Sequence, residues 1–259
     1  MNLPAATTDI DQAESDMREQ GICLVKNVLL PEQLADVRTA LYRAAQQDSE
    51  RGHRQAGFGL DYGGGNHRVW NVLSRDTVFV NLVEHPAALR LVKVTIGWPA
   101  LLGNLSANIA LPGSEGGMVH ADQVFVPEPW PARPQGINVS WLLDDFTTSN
   151  GATEVVPMSH LQNRSPRPDE TLQTVPIIAP AGTMVAFDSR VWHRTGSNRT
   201  TEHSRAALFA WYSRPIYRTQ ENWFLSLSPW VLEGASDDLL TLLAWKSEGF
   251  GLVNGHSPR

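Results

Sequence analysis

The sequence predicts a mainly β domain with flanking helices, and two observations carry that prediction. Between residues 138 and 212, short apolar runs alternate with turn-forming clusters at the spacing typical of a β-sandwich or barrel. Near both ends of the chain, apolar or capping residues recur at helical spacing instead. A chain of 259 residues with 42% hydrophobic residues can bury one sizeable core, so we expect a single domain over residues 1–259.

The N-terminal part is predicted to be helical over about residues 9–47. A polar segment over 9–20 stops at a glycine, which is a typical helix end, and a strand is expected over 21–29. Pro31 favours the first turn of a second helix that runs to about Gln47, with apolar side chains along one face. These helices are expected to pack on the sheet.

A stretch rich in glycine and arginine over residues 50–67 is predicted to be a long surface loop that covers an active site. The β core is then expected over about 68–213. Its predicted elements are strands over 68–73 and 105–111, helical material over 76–94 broken at Pro86, and strands over 138–143, 153–156 and 183–187. A last helix over 236–246 is predicted from the capping residue Ser236 and the two aspartates that follow it.

Composition excludes several classes of partner. The formal net charge of -6 gives no reason to expect nucleic acid or an anionic membrane surface. No apolar stretch is long enough to span a bilayer and no secretory signal is evident, so we expect a cytoplasmic protein. The expected partner is a small-molecule substrate, and the expected state is a monomer or homodimer. The single cysteine, Cys23, lies in an apolar run and is predicted to be a buried thiol.

The first chemical signal is a histidine and an aspartate two residues apart, His120 and Asp122. In an extended chain, side chains at this spacing leave the same face, so imidazole and carboxylate converge on one point. Alone, the pair is more typical of a solvent-exposed polar contact than of a metal site.

A second histidine raises the case for a metal. The apolar segment over residues 182–193 is predicted to be a strand that ends in His193. Two histidines and one carboxylate on β-strands match the facial triad that binds Fe(II) and leaves three positions open. Asp188 is a rival carboxylate, but it lies five residues before His193 and is expected on the opposite face, in turn or surface structure.

Arg205 begins another apolar run over residues 206–211. A guanidinium at the head of a core strand needs an anionic partner, and its fork suits a carboxylate. Either a distant Asp or Glu or the carboxylate of a cosubstrate fits this position.

Taken together, these segments resemble the phytanoyl-CoA dioxygenase family of Fe(II)- and 2-oxoglutarate-dependent oxygenases. The resemblance covers residues 71–211 and rests on an ordered set of motifs: residues 120–123, 141–147, 150–153, 156–160 and 193–199. It implies a double-stranded β-helix, a cupin-like jelly-roll barrel with the metal near its mouth.

The resemblance also implies a ligand set. Fe(II) is expected on His120, Asp122 and His193, with 2-oxoglutarate and O2 as cosubstrates and succinate and CO2 as products. Thr195 and Arg205 match the family positions that hold iron-bound 2-oxoglutarate. Relatives that halogenate have a small residue in place of the carboxylate, so Asp122 implies that halogenation is not the reaction.

Two asparagines are further cosubstrate candidates. Asn71 follows a run similar to the strand that borders cosubstrate and substrate in relatives with the same His-x-Asp-Gln form. Some relatives carry a glutamine shortly before the first ligand, whereas residues 116–119 here hold none, so Asn108 is the candidate for that contact.

Substrate contacts are expected from aromatic and polar side chains around the cavity. The candidates are Arg68, Trp70, Gln123, Trp211 and Tyr212. The resemblance therefore implies hydroxylation or another oxidation of a small organic molecule, of the secondary-metabolite type. The alternative is a catalytically degenerate metal-binding β-barrel that serves as a binding module.

Overall fold

The computed structural model describes residues 2–52, 65–247 and 249–259. Most of the predicted cover loop over 50–67 therefore lies outside the described residues. The helices are α1 (Ile10–Gln20), α2 (Pro31–Glu50), α3 (Thr77–Val83), α4 (Pro86–Ile96), α5 (Trp223–Ser226) and α6 (Asp237–Leu242). The strands are β1 (Ile22–Val25), β2 (Asn66–Val69), β3 (Leu101–Ala110), β4 (Gly136–Leu142), β5 (Thr153–Val155), β6 (Val175–Pro176), β7 (Met184–Asp188), β8 (His193–Thr195) and β9 (Arg205–Ser213).

The strands form two antiparallel sheets. The larger has six strands in the order β1-β7-β4-β9-β3-β2, and the smaller has three in the order β6-β5-β8. Within the described part of the chain, no strand pairing closes the two sheets into one barrel. The predicted mainly β fold with flanking helices is confirmed. No described helix has the length and apolar character needed to cross a membrane.

The two faces of the large sheet have different partners. On β9, Leu208, Ala210 and Tyr212 belong to the main core, together with residues of α1, α2, α3 and α4. Ala207, in contrast, belongs to a second core that includes Val155 of the small sheet. This inner face also buries Asn108 and Asn138, which are polar. Since polar side chains are seldom fully buried without partners, the inner face is where a functional site is expected.

Local capping explains the helix ends that the sequence predicted well. The Asp9 side chain accepts hydrogen bonds from two backbone amides at the start of α1, and Gly21 ends the helix in the left-handed region with φ 72°. The helix α4 begins at Pro86, which confirms the predicted break between two helical segments. Cys23 is buried, and burial raises the pKa of its thiol to about 12.

Other boundaries differ from the prediction. The strand expected over 68–73 ends at Val69, because Asn71 adopts left-handed backbone with φ 49° and starts a 3-10 turn. The strand expected over 21–29 covers only Ile22–Val25. The last helix ends at Leu242, and Ala244 has φ 60°, which is incompatible with helix.

The segment over 182–193 is not one strand. β7 ends at Asp188, the chain turns, and β8 begins at His193 in the smaller sheet. Asp188 is the last residue of β7, directly before this turn, and it is buried rather than on the surface. Its carboxylate pairs with the Arg190 guanidinium at 2.6 Å, and both side chains are almost fully buried. The surface assignment was therefore wrong.

Candidate metal centre

A backbone bridge brings the two predicted histidine ligands together. His120 and His193 exchange hydrogen bonds, with N···O distances of 2.9 and 2.8 Å, and their ring centroids lie 4.4 Å apart. Only His120 of the segment 118–125 takes part in β pairing; the chain turns directly after it. Convergence with Asp122 therefore comes from a bridge and a turn rather than from the regular strand that was expected.

The three side chains form a compact donor set. Asp122 Oδ1 lies 3.8 Å from His120 Nε2 and 3.6 Å from His193 Nε2. One donor atom from each residue lies within 4.8 Å of the others. Two imidazole nitrogens and one carboxylate oxygen at this spacing suit a divalent transition metal held on one side.

Backbone carbonyls orient both imidazoles. His120 Nδ1 lies 3.0 Å from the Met118 carbonyl oxygen, and His193 Nδ1 lies 3.0 Å from that of Val191. A carbonyl only accepts, so each Nδ1 donates its hydrogen and each Nε2 keeps a lone pair for a metal. Burial, followed by the charge of His193, lowers the pKa of His120 to about 4, which keeps this imidazole neutral near pH 7.

Asn138 is a site residue that sequence reasoning missed. Its Nδ2 donates to Asp122 Oδ2 at 3.0 Å, while the Ser140 hydroxyl donates to Asn138 Oδ1 at 3.2 Å. Both residues lie on the inner face of β4. Because Oδ2 of Asp122 is held in this way, Oδ1 is left to face the histidines.

A second polar group lies beside the metal ligands on the inner face. Asn108 Nδ2 donates to Thr195 Oγ1 at 3.2 Å, which leaves the threonine hydroxyl hydrogen free to be donated into the cavity. Arg205 is fully buried, donates to the Gly151 carbonyl, and lies with its guanidinium carbon 4.8 Å from the Phe146 ring centroid. Arg205 lies on the inner face of β9, and the neighbouring strand β3 carries Asn108.

A cavity of about 370 Å³ opens over the three ligands. Of the predicted residues, Arg68, Trp70, Thr195 and Trp211 line it together with the metal ligands. Sequence reasoning did not single out several further lining residues: Asn104, Ser106, Asn138, Thr153, Arg194, Phe209, Arg218 and Gln220. Phe209 had a usable signal, because it precedes Trp211 by two positions on the same strand and so shares its face.

Five predicted site residues do not line this cavity. Two of them, Asn108 and Arg205, are buried on the inner face of the sheet, and the other three have different surroundings. Tyr212 faces the helices, because it alternates with Trp211 along β9; it is fully buried and its hydroxyl donates to the Val83 carbonyl at 2.9 Å. Gln123 is buried in the turn after Asp122, where its Oε1 accepts from the Gln135 amide at 2.9 Å. Asn71 has left-handed backbone and donates to the Ser226 carbonyl at 2.7 Å.

Comparison with known proteins links this geometry to a family. The family model described as phytanoyl-CoA dioxygenase matches residues 17–207, a span that includes all three ligands. Dioxygenase af480 of Aspergillus fumigatus is 34% identical over 247 residues, which cover 94% of this chain and 80% of that protein.

Solved structures share the fold at lower identity. The non-heme alpha ketoglutarate dependent carbocyclase SnoK from nogalamycin biosynthesis matches with a TM-score of 0.65 and 21% identity, over 87% of this chain and 95% of SnoK. The epimerase SnoN, solved in complex with Fe3+, alpha ketoglutarate and nogalamycin RO, matches with a TM-score of 0.62 and 20% identity, over 89% and 93% of the two chains. The predicted cupin-like fold class is confirmed.

Proposed function

The chain belongs to the phytanoyl-CoA dioxygenase family, and from that premise we propose that it is an Fe(II)- and 2-oxoglutarate-dependent dioxygenase that oxidises a small organic molecule. The observation that carries the proposal is the convergence of His120, Asp122 and His193 at the floor of a cavity. When bound there, Fe(II) and 2-oxoglutarate supply the activation of O2, with release of succinate and CO2.

The three ligands fit Fe(II) by their chemistry and by their support. Both Nδ1 atoms are hydrogen-bonded to backbone carbonyls, which leaves the Nε2 atoms as metal donors, and Asn138 orients the Asp122 carboxylate. All three residues line the cavity, so a metal held by them would be reachable from it, as a 2-His-1-carboxylate site requires. The side chains therefore hold the metal and leave access to it.

We further propose that Thr195 and Arg205 hold the distal carboxylate of 2-oxoglutarate. The Thr195 hydroxyl, set by Asn108, is a donor into the cavity, and Arg205 supplies a buried positive charge on the same face of the sheet. A guanidinium and a hydroxyl together suit a carboxylate, because both form charge-assisted hydrogen bonds with it. Asn108 in this arrangement positions Thr195.

The substrate is proposed to be a secondary-metabolite type of molecule. Support comes from the aromatic lining of the cavity and from the relatives, since SnoK and SnoN are named for nogalamycin biosynthesis. The cytoplasmic location and the monomeric or dimeric state expected from the sequence stay predictions.

The test is anaerobic addition of Fe(II) and 2-oxoglutarate, followed by absorption spectroscopy in the visible range. We expect the wild type to give a weak charge-transfer band. Asp122→Ala is expected to lose the band because a metal ligand is removed. Arg205→Ala is expected to bind Fe(II) but to need far more 2-oxoglutarate for the same band.

Asp36→Ala is the matched control, since it removes an exposed carboxylate from α2 and should leave the band unchanged. Absence of any band in the wild type, in protein that unfolds cooperatively, would contradict the proposal and favour a binding module. Release of succinate in air is the second readout.

A further inference from the structure

One wall of the cavity is a fixed aromatic surface. The Trp211 indole Nε1 donates to Ser189 Oγ at 2.9 Å, and the Phe125 ring meets Trp211 edge-on with centroids 5.1 Å apart. Gly103 makes room for the indole, because a Cβ there would come within 2.0 Å of it. Phe209 lines the same wall. A ring held in one orientation presents a ready surface for a planar ligand.

Three arginines also line the cavity, Arg68, Arg194 and Arg218, and two of them differ in how their charge is compensated. The Arg194 guanidinium pairs with Glu154, at 2.8 and 2.7 Å. Arg218 is exposed, and no side-chain hydrogen bond or ion pair to it is found among residues 2–52, 65–247 and 249–259. Asp122 is the acidic residue that lines the cavity, and its carboxylate faces the histidines. Arg218 thus brings an uncompensated positive charge to the cavity.

Gln220 adds a donor beside this charge. The Asn104 amide donates to Gln220 Oε1, which leaves the Gln220 amide nitrogen able to donate to a bound acceptor. Gln220, Asn104 and Arg218 all line the cavity. The combination of a guanidinium and an amide suits an oxyanion better than a neutral group.

We propose that the substrate of this site is an aromatic acid, whose ring packs on Trp211 and Phe125 and whose carboxylate pairs with Arg218. This proposal rests on the proposed oxygenase function and names its substrate class. The chain as a whole carries a formal charge of -6, so selection for an anion has to come from the local field of the cavity rather than from net charge. Arg205 is buried on the inner face, whereas Arg218 is exposed. We therefore assign Arg205 to the carboxylate of 2-oxoglutarate and Arg218 to the carboxylate of the substrate.

The test compares two probes of the same size, 2-naphthoate and the neutral 2-naphthamide. Their binding is measured by calorimetry with protein loaded anaerobically with Fe(II) and 2-oxoglutarate. We expect the wild type to bind the acid about tenfold more tightly than the amide, the ratio that one partly exposed charge-assisted contact gives. Arg218→Gln should remove that preference while leaving the affinity for 2-naphthamide within about twofold, because the aromatic wall that both probes use is unchanged.

Two further variants separate the contributions. Trp211→Ala should weaken both probes, because it removes the ring wall. Arg18→Gln is the matched control: it changes net charge equally, on α1 across the sheet from the cavity, and should leave the preference intact.

Equal affinity of the wild type for the two probes would overturn the proposal. So would an Arg218→Gln variant that keeps the preference for the acid, or one whose main defect is weaker binding of 2-oxoglutarate. The charge-transfer band of the loaded wild type reports separately on the oxygenase function, so failure of that function and failure of the substrate assignment give different results.

Discussion

The hydrogen bond from Asn138 to Asp122 gives the sharpest prediction about how the metal centre is assembled. In Asn138→Ala, Asp122 loses the donor that lies 3.0 Å from its Oδ2, and the carboxylate becomes free to rotate. The bond holds Oδ2 of Asp122 and so orients Oδ1 toward the histidines. Removing it therefore weakens metal binding as well as the fold.

The two effects have different magnitudes. A hydrogen bond to a charged group contributes about 1.5–3 kcal/mol, and Asp122 keeps 20% of its side chain exposed, so water replaces part of the loss. We expect the metal-free variant to lose about 1 kcal/mol of unfolding free energy. Loss of an outer-shell partner commonly lowers metal affinity by about 10- to 100-fold, and the lower end is expected at a partly hydrated carboxylate.

The assay titrates metal-free protein anaerobically with Co(II), whose visible bands report binding, and measures stability by urea unfolding. Ser140→Ala is the matched control, since its hydroxyl is also buried on β4 but contacts Asn138 rather than the ligand. Ser140→Ala should lose a similar amount of unfolding free energy. Its Co(II) affinity should stay within about threefold of the wild-type value, because Ser140 is one hydrogen bond farther from the metal than Asn138. Equal Co(II) affinity in Asn138→Ala and wild type, with stability reduced, would refute the positioning role.

Two more predictions concern stability. The folded-state pKa of His120 is about 4 and the unfolded value is about 6.5, so the unfolded state takes up the proton first as the pH falls. Metal-free protein should thus lose about 2 kcal/mol from this residue between pH 7 and pH 5 in urea unfolding; an equal loss in His120→Gln would contradict this. Arg190→Met leaves the buried Asp188 carboxylate without its cation and should cost about 3–5 kcal/mol, whereas adding Asp188→Asn should restore part of it; a loss below about 1 kcal/mol would be inconsistent with a buried pair.

Local signals account for what the sequence predicted correctly. Capping by Asp9 and Gly21 defines α1, and Pro86 defines the start of α4, because these effects act within a few residues. The ligand set was recognisable because the spacing of His120 and Asp122 and the position of His193 form an ordered motif. The structure brings these three together, although through a bridge and a turn.

Long-range pairing accounts for what the sequence did not predict. Asn138 has no local feature that marks it, and its place opposite Trp211 on β9 and Phe187 on β7 depends on the register of three strands. Tyr212 is different, since strand alternation already separates it from Trp211. Aromatic character alone suggested a substrate contact, but the period of two places Tyr212 on the helix-facing side of β9. Arg218 lies beyond β9 and becomes visible only once the cavity is formed.

The core and the candidate site select the same strand register. On β4, Val139 packs into the helix-facing core, while Asn138 on the other face reaches Asp122. A slip of one residue would exchange these faces, placing an amide in the apolar core and a valine at the metal ligand. Both errors cost free energy, since the amide would lose its partners and Val139 would lose burial. The apolar packing that stabilises the sheet therefore also fixes the polar face on which the metal and substrate sites depend.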